Sequence, residues 1–523
     1  MTITPSTFGG SVQLQWKPTG DSEFEVCTQL RPWTIMDEGW ETIFENVRMA
    51  GVNNIYLVAI MHQEHRPFQA PKFPHNPQRE SFEAEDSVLA FTPDMRRYGK
   101  IKPARSRYHW ANQRNWMQEL VDQCHKRHFS VGAEISHYPV PKSWLKENPE
   151  WTQKDPQGRP NTQRFCPHHP DIRKYVLALY ADLAGNYDLD YIQTCQYLFG
   201  GMGCYCRHCV AKAKEAKIDV ESSLAALRQD ENAEPYLKEW TDWQRQAATK
   251  FYQDISDTIR KENPKCQLRL NDVYTWGNGN ENRDPWKQGL DLTGISVYLG
   301  SMVNQDHQEQ RGRENEDFAL RKEWLTNNRQ HLGWDKSLIC SIAPRMKASP
   351  ELVRRGIMVA ITHPSKINGL ALKHYDGASF SLLRAFKQGM IEAGVQGLPP
   401  TLGKEIEAMT LEGYVPFQEE LAEEWGVKTR DTGRVSYDFD LPSGIYDVRI
   451  TYFDGPKGQS TIKLLVSDAE KASFKMDEDC NCWRWRRFEN IRITQGDPIT
   501  LVGTADRQEQ ARLDYIEFLK LWE

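Results

Sequence analysis

Asn54-Ile-Tyr-Leu-Val-Ala-Ile60 is a nearly continuous apolar run of the length of one strand. Such a run marks a strand buried on both faces, as in a parallel sheet covered by helices. The flanking sequence fits. Upstream, Glu25-Val-Cys-Thr-Gln-Leu30 reads as a short strand, and Gly39 to Met49 has helical spacing through Trp40, Ile43, Phe44 and Val47. Downstream, strands are expected at Phe129–Ile135, Leu189–Thr194, Gln267–Asn271, Leu292–Tyr298, Ser337–Ile342 and Gly369–Lys373. Helical patterns separate them at Trp116–Arg127, Pro170–Asn186, Leu237–Lys261, Phe318–Arg329 and Pro350–Ile361, and Phe380–Ile391 follows the last strand. Eight strands alternating with helices predict a (β/α)8 (TIM) barrel over residues 1–395. A doubly wound sheet is the rival, but no Gly-rich dinucleotide fingerprint follows an early strand. A long polar stretch from His62 to about Arg107, rich in Pro, His and Arg, has the character of a functional loop.

The pattern changes after residue 395. Residues 396–430 are acidic and are expected to form a helical connector. From 431 to 523 the runs take period two, as in Tyr446-Asp-Val-Arg-Ile-Thr-Tyr452 and Thr461-Ile-Lys-Leu-Leu-Val466, with Gly, Pro and Asp between them. Short strands at that spacing predict a β-sandwich.

Composition narrows the function. A net charge of −6 argues against a large phosphate-binding surface, so no nucleic-acid partner is expected. No apolar run approaches a membrane span, so no membrane partner is expected. The start, Met1-Thr-Ile-Thr-Pro-Ser6, lacks a basic and an apolar segment, and a cytoplasmic location is the expectation. Assembly into a homo-oligomer is left open. The 17 Trp, 20 Tyr and 20 Phe suit a cleft that stacks on flat ligand faces such as sugars, although cores use the same residues. The 11 cysteines are odd in number, and Cys27, Cys124, Cys266 and Cys340 sit inside apolar runs as small hydrophobes.

The clustered cysteines differ. Cys204-Tyr-Cys-Arg-His-Cys209 places three thiols within six residues. Zinc takes four such ligands in a tetrahedron, and a tight turn can supply three. Cys166, in Arg164-Phe-Cys-Pro-His-His169, is the preferred fourth, with Cys195 and His208 as alternatives. A structural zinc is therefore expected on Cys166, Cys204, Cys206 and Cys209.

The stretch from Arg164 through Cys209 resembles glycoside hydrolase family 42, the zinc-containing β-galactosidases. That family has a Cys-Pro segment opening a helix, then a strand carrying its acid/base, then a Cys-x-Cys-x-x-Cys knuckle. Here these are Cys166-Pro167, Leu189–Tyr197, and Cys204, Cys206 and Cys209. The resemblance implies a barrel glycosidase. It also exposes a departure. The family's fourth strand ends in Asp-Asn-Glu, and the matching residues here are Cys195-Gln196-Tyr197. The family nucleophile is a Glu ending strand seven, and here that strand runs Leu338-Ile-Cys-Ser-Ile-Ala-Pro-Arg345 without a carboxylate. Galactosidase chemistry does not carry over. The C-terminal segment resembles the jelly-roll modules attached to many glycosidases, which often bind carbohydrate.

Barrel enzymes place their chemistry at the C-terminal ends of the strands. Glu134, Asp272 and Asp376 lie there and could supply the two carboxyl groups that glycoside hydrolysis requires. The preferred pair is Asp272 as acid and Asp376 as base or nucleophile, because Lys373 and His374 would keep Asp376 ionised. Glu134 is the reserve. His137, Asn271, Trp276, Tyr298, Arg345, Lys373, His374 and Tyr375 are the candidate substrate contacts, with Trp276, Tyr298 and Trp33 as stacking platforms. A glycoside hydrolase acting on an oligo- or polysaccharide is the expected function. A barrel that binds glycans without cleaving them, and a lyase acting on uronic acids, are the alternatives.

Overall fold

A computed structural model describes residues 24–61, 64–65, 83–84, 88–103, 106, 109–135, 139–194, 203–271, 296–301, 322–323, 325–326, 328–330, 333–343, 349–373, 375–396, 398, 402–419 and 424–521. The first part alternates strands and helices. In chain order these are β1 (Glu25–Leu30), α1 (Pro32–Glu38), α2 (Trp40–Met49), β2 (Asn54–Met61), α3 (Trp116–Lys126), β3 (Ser130–Ile135), α4 (Pro170–Asn186) and β4 (Tyr191–Thr194). There follow α5 (Arg207–Glu215), α6 (Tyr236–Glu262), β5 (Gln267–Asn271), β6 (Ser296–Ser301), β7 (Ser337–Ile342), α7 (Pro350–Thr362), β8 (Gly369–Leu372) and α8 (Phe380–Glu392). The sixth strand overlaps the expected Leu292–Tyr298 at Ser296–Tyr298 and runs on to Ser301, while 292–295 lie outside the described residues.

All eight strands run parallel, in the order β1-β8-β7-β6-β5-β4-β3-β2, and the sheet curls until β1 pairs with both β8 and β2. Side chains alternate across each strand, so every second residue faces the concave side. The deepest layer is polar. Glu25 accepts from Asn54 Nδ2 (2.6 Å) and Arg269 Nη2 (2.9 Å), and the Arg269 guanidinium lies 3.6 Å over the Tyr191 ring. Above it, Cys27, Tyr56, Tyr191, Ile339 and Ala371 form a buried apolar layer. Gly132 belongs to this level because a Cβ there would enter the Tyr191 ring. The main apolar core lies outside the sheet, where residues such as Leu57, Val131 and Leu370 meet the helices.

The second part corrects the expected helical connector over 396–430. Among its described residues are four strands, β9 (Gly403–Glu405), β10 (Thr410–Glu412), β11 (Val415–Glu419) and β12 (Glu424–Thr429), with only a single 3-10 turn at Ile406–Ala408. Acidic residues there suggested a helix, but Gly413, Pro416 and Gly426 break helical periodicity, and Glu405 and Glu412 are exposed on the short strands β9 and β10. Seven more strands follow: β13 (Thr432–Asp438), β14 (Gly444–Asp454), β15 (Thr461–Val466), β16 (Ala469–Lys475), β17 (Cys482–Ile493), β18 (Pro498–Thr504) and β19 (Ala511–Leu521). They form two antiparallel sheets, β11-β12-β19-β14-β17 with β9 beside β19, and β10-β13-β18-β15-β16. One apolar cluster joins both sheets, for instance Val448, Ile450 and Ile516 with Val435, Leu464 and Leu501. Cys480 and Cys482 form a disulfide at the start of β17.

The two parts share a charged contact. Arg449 on β14 pairs with Glu517 on β19 and lies 3.8 Å from Glu45 on α2. Arg487 on β17 pairs with Asp447 and with Glu45 (3.4 Å). Arg384 on α8 reaches Asp514 at 3.2 Å. Lys387, one turn further along α8, is buried. Burial, and then the Arg449 charge, pull its ammonium from 10.5 down to about 8. An unfolded Lys387 binds its proton up to about pH 10.5, whereas the folded one sheds it near pH 8, so this group opposes folding below pH 8 and ceases to as pH rises past 10. Lys387→Met is therefore expected to stabilise the protein at pH 7, by up to about 3 kcal/mol, with the gain shrinking as the pH approaches 10. Denaturation midpoints at both pH values check this; a variant less stable at pH 7 than at pH 10, relative to wild type, contradicts it.

Candidate active site

The layer above the apolar ring is polar again, and it lies toward the C-terminal ends of the strands. Two residues beyond Cys27 comes Gln29; two beyond Tyr191 comes Gln193; two beyond Gly132 comes Glu134; two beyond Ile339 comes Ser341. All four are buried. Gln29 Nε2 donates to both carboxylate oxygens of Glu134 at 3.0 Å, and Gln193 Nε2 donates to Glu134 Oε2 at 2.8 Å. Gln193 is the register partner of Glu134 on the next strand, while Gln29 reaches across β2. Amide donors on both oxygens suit an anion held in one orientation. Sequence reading singled out Glu134 but missed Gln29, Gln193 and Ser341. Their signal was the period-two step from the apolar residues below them, visible only once the concave face is known.

Asp376 lies just beyond β8, in a short 3-10 turn at Tyr375–Gly377, at the same end of the sheet as Glu134. It is buried and accepts from Thr34 Oγ1 of α1 at 3.3 Å. It does not cap the last helix; Ser379 does, accepting from the Leu382 N–H at 3.3 Å. Lys373 is half-buried, and its N–H donates to the Ile342 carbonyl at 2.8 Å. Tyr375, expected to touch substrate, turns the other way. It is fully buried, its hydroxyl donates to Glu38 at 2.7 Å and accepts from Asn46 Nδ2 at 2.8 Å, and Asn46 Oδ1 accepts from Trp485 Nε1 at 3.0 Å. Tyr375 thus belongs to the framework beneath the site. Trp33 is likewise core, packed with Val58, Val88 and Ala111. Asn271 and Tyr298 are register partners on β5 and β6. His137, Asp272, Trp276, Arg345 and His374 lie outside the described residues.

The four expected zinc ligands do converge. The sulfurs of Cys166, Cys204, Cys206 and Cys209 lie within 4.8 Å of one another, all buried. Cys166 Sγ is 3.4 Å from Cys206 Sγ and 3.6 Å from Cys209 Sγ. A tetrahedral zinc with bonds of about 2.3 Å sets its sulfurs about 3.8 Å apart, so the cluster has the right size. The neighbouring sulfurs favour the Cys206 thiolate, while Cys166 and Cys209 are pushed up. Backbone bonds hold the turn: the Cys166 N–H donates to Trp151 O and the Tyr205 N–H to Lys154 O, each at 2.7 Å. Gln244 of α6 brackets Cys204, accepting its N–H at 3.1 Å and donating to its carbonyl at 2.7 Å. Gly203, at φ +76°, leaves room for that amide, because a Cβ would collide with Gln244 Oε1. Gly203→Ala should therefore destabilise the protein by about 2 kcal/mol or more, from positive-φ strain and the displaced amide together. Chemical denaturation measures it; an unchanged midpoint would show that the bracket carries no stability.

Comparison with known proteins bears on this site. Residues 100–328 match the family model described as glycosyl hydrolase-like 10. An α-glucuronidase of Hypocrea jecorina is 30% identical over 131 residues, covering 22% of this chain and 16% of the relative. A probable α-glucuronidase A of Aspergillus terreus is 31% identical over 134 residues, again 22% of this chain and 16% of the relative. The chain thus spans about a sixth of the length of these relatives. Among solved structures, a cold-adapted β-galactosidase of Rahnella sp. R3 is 12% identical, covers 73% of this chain and 57% of its own, and has a TM-score of 0.47. Over residues 100–328 the chain is thus similar to the glycosyl hydrolase-like 10 family, and over about a fifth of its length to α-glucuronidases.

Proposed function

We propose that this protein is a (β/α)8-barrel glycoside hydrolase with a C-terminal β-sandwich, and that it removes an acidic sugar, of the glucuronic acid class, from a glycan. The observation that carries the reading is the Glu134 carboxylate, fixed by Gln29 and Gln193 at the C-terminal ends of parallel strands, where barrel enzymes hold substrate. Glycosidic cleavage needs one carboxylate facing the anomeric carbon and one carboxylic acid beside the leaving oxygen. Glu134 has the setting of the first. Asp376 and Asp272 are the candidates for the second, which reverses the emphasis of the sequence reading. Lys373, half-buried at the end of β8, carries a positive charge that would favour a uronate over a neutral sugar, and Arg345 is a further cation that the sequence offers. The relatives' name points to the same substrate class.

Four buried thiols at these separations fit a closed zinc site, and we assign Cys166, Cys204, Cys206 and Cys209 as its ligands. With no open coordination position such a metal would supply folding energy to the loop behind β4 rather than chemistry. In this respect the protein is similar to the family 42 enzymes; in its carboxylates it is not.

The test is a panel of oligosaccharides bearing α-linked glucuronic acid, with neutral β-galactosides and polyuronates beside them. Release of free glucuronic acid is expected. Release of galactose alone would move the protein to the β-galactosidases. A product absorbing in the ultraviolet as an unsaturated uronate would make it a lyase. Asp376→Asn should lower turnover by at least about a hundredfold if it serves as acid or base.

A further inference from the structure

Among the described residues, Gln29, Gln193 and Ser341 each leave one buried polar atom without a partner. These atoms are the side-chain carbonyl oxygens of both glutamines and the hydroxyl of Ser341. Gln193 and Ser341 are fully buried and Gln29 is 7% exposed. A buried amide carbonyl or hydroxyl without a partner costs stability, and native proteins seldom keep several together. Here three lie at one level of the concave face, on three strands, and two of them belong to the side chains that hold Glu134. In the glutamines the N–H ends are spent on Glu134, so the amide orientation is fixed and the free ends are acceptors. The two carbonyl oxygens lack hydrogen-bond donors, and the Ser341 hydroxyl lacks a partner of either kind among the described residues.

We infer that the layer is a floor that reads sugar hydroxyls: Gln29 Oε1, Gln193 Oε1 and Ser341 Oγ accept O–H groups of the pyranose ring lying over Glu134. A sugar ring carries several donors at fixed spacing on one face, which a single water or a simple cation does not. Specificity follows from the same asymmetry, because a ring lacking a matching hydroxyl would leave a carbonyl both buried and dry. The floor complements a charge-reading group at the mouth: hydroxyl pattern below, carboxylate above. The inference rests on the glycan-processing reading but can fail separately from it.

Ser341→Ala tests it without touching Glu134, and Gln193→Met tests it at the neighbouring position. Binding of methyl α-D-glucuronide, methyl α-D-glucoside and methyl β-D-galactoside would be titrated by calorimetry, with thermal midpoints and turnover measured on the same preparations. Ser341→Ala is expected to keep or raise the thermal midpoint, by about 2 °C, and to weaken sugar binding at least tenfold. A structural serine would show the opposite pairing: a lower midpoint with unchanged affinity. Gln193→Met should likewise weaken binding tenfold or more. Affinities within twofold of wild type in both variants overturn the inference, and so does wild-type protein that binds none of the three glycosides. Sugar affinity that depends on Ser341 in a protein with no turnover on any glycan would uphold the floor and refute the hydrolase.

Discussion

Glu134→Gln is expected to lose about three orders of magnitude or more in turnover while the fold stays intact. The change removes the charge and keeps the shape. Gln29 and Gln193 both donate to Glu134 Oε2, so a glutamine carbonyl there can still accept from both, while its amide nitrogen takes the place of Oε1 and loses only the second Gln29 contact. The variant therefore keeps its orientation and loses the anion. Carboxylates that act directly on an anomeric carbon contribute on this scale, and a remote ion pair does not. Steady-state rates on a glucuronic-acid-bearing oligosaccharide, with circular dichroism as a control for folding, make the measurement. A well-folded variant at near wild-type rate would place the chemistry on Asp272 and Asp376 instead.

Removing zinc should have the largest effect on stability. Structural zinc on four thiolates contributes on the order of 10 kcal/mol to the fold it closes. Here that fold is the segment joining Cys166, ahead of α4, to the Cys204–Cys209 turn ahead of α6, with Gln244 and the stacked Tyr205–Trp240 pair against it. Elemental analysis of protein purified without added metal is expected to give one zinc per chain. Cys206→Ser, or prolonged chelation, should lower the thermal midpoint by 10 °C or more. Metal-free protein with an unchanged midpoint would leave the four cysteines as packing residues.

The sequence made the parallel strands legible because burial on both faces writes itself as continuous apolar runs, as in Asn54–Ile60. The cluster of four cysteines was legible because three of them are local. Local spacing could not reveal the floor. Gln29 and Gln193 sit inside strands as ordinary polar residues, and only the curl of the sheet brings them to Glu134. Tyr375 misled for a related reason: polarity after an apolar strand marks a strand end, not the direction of a side chain. The strands within 403–429 were hidden by their acidity, since glutamates on an exposed edge look like a solvated helix.

Trp485 on β17, Asn46 on α2 and Tyr375 beside Asp376 form one hydrogen-bonded chain from the C-terminal sheets to the loop after β8. Trp483 and Phe453 add their rings to the core of the first part. This bears on how such a protein can be recombined. A module hung on a linker can be exchanged for another by cutting at the linker, and the catalytic part survives. Here a cut near residue 400 would bare the apolar ground of Trp483, strand the charges of Glu45 and leave Asn46 half-answered. A chimera carrying foreign C-terminal sheets would need an indole donor at the Trp485 position and a cation at the Arg449 position. Exchange is therefore constrained to donors that match a surface rather than a sequence boundary.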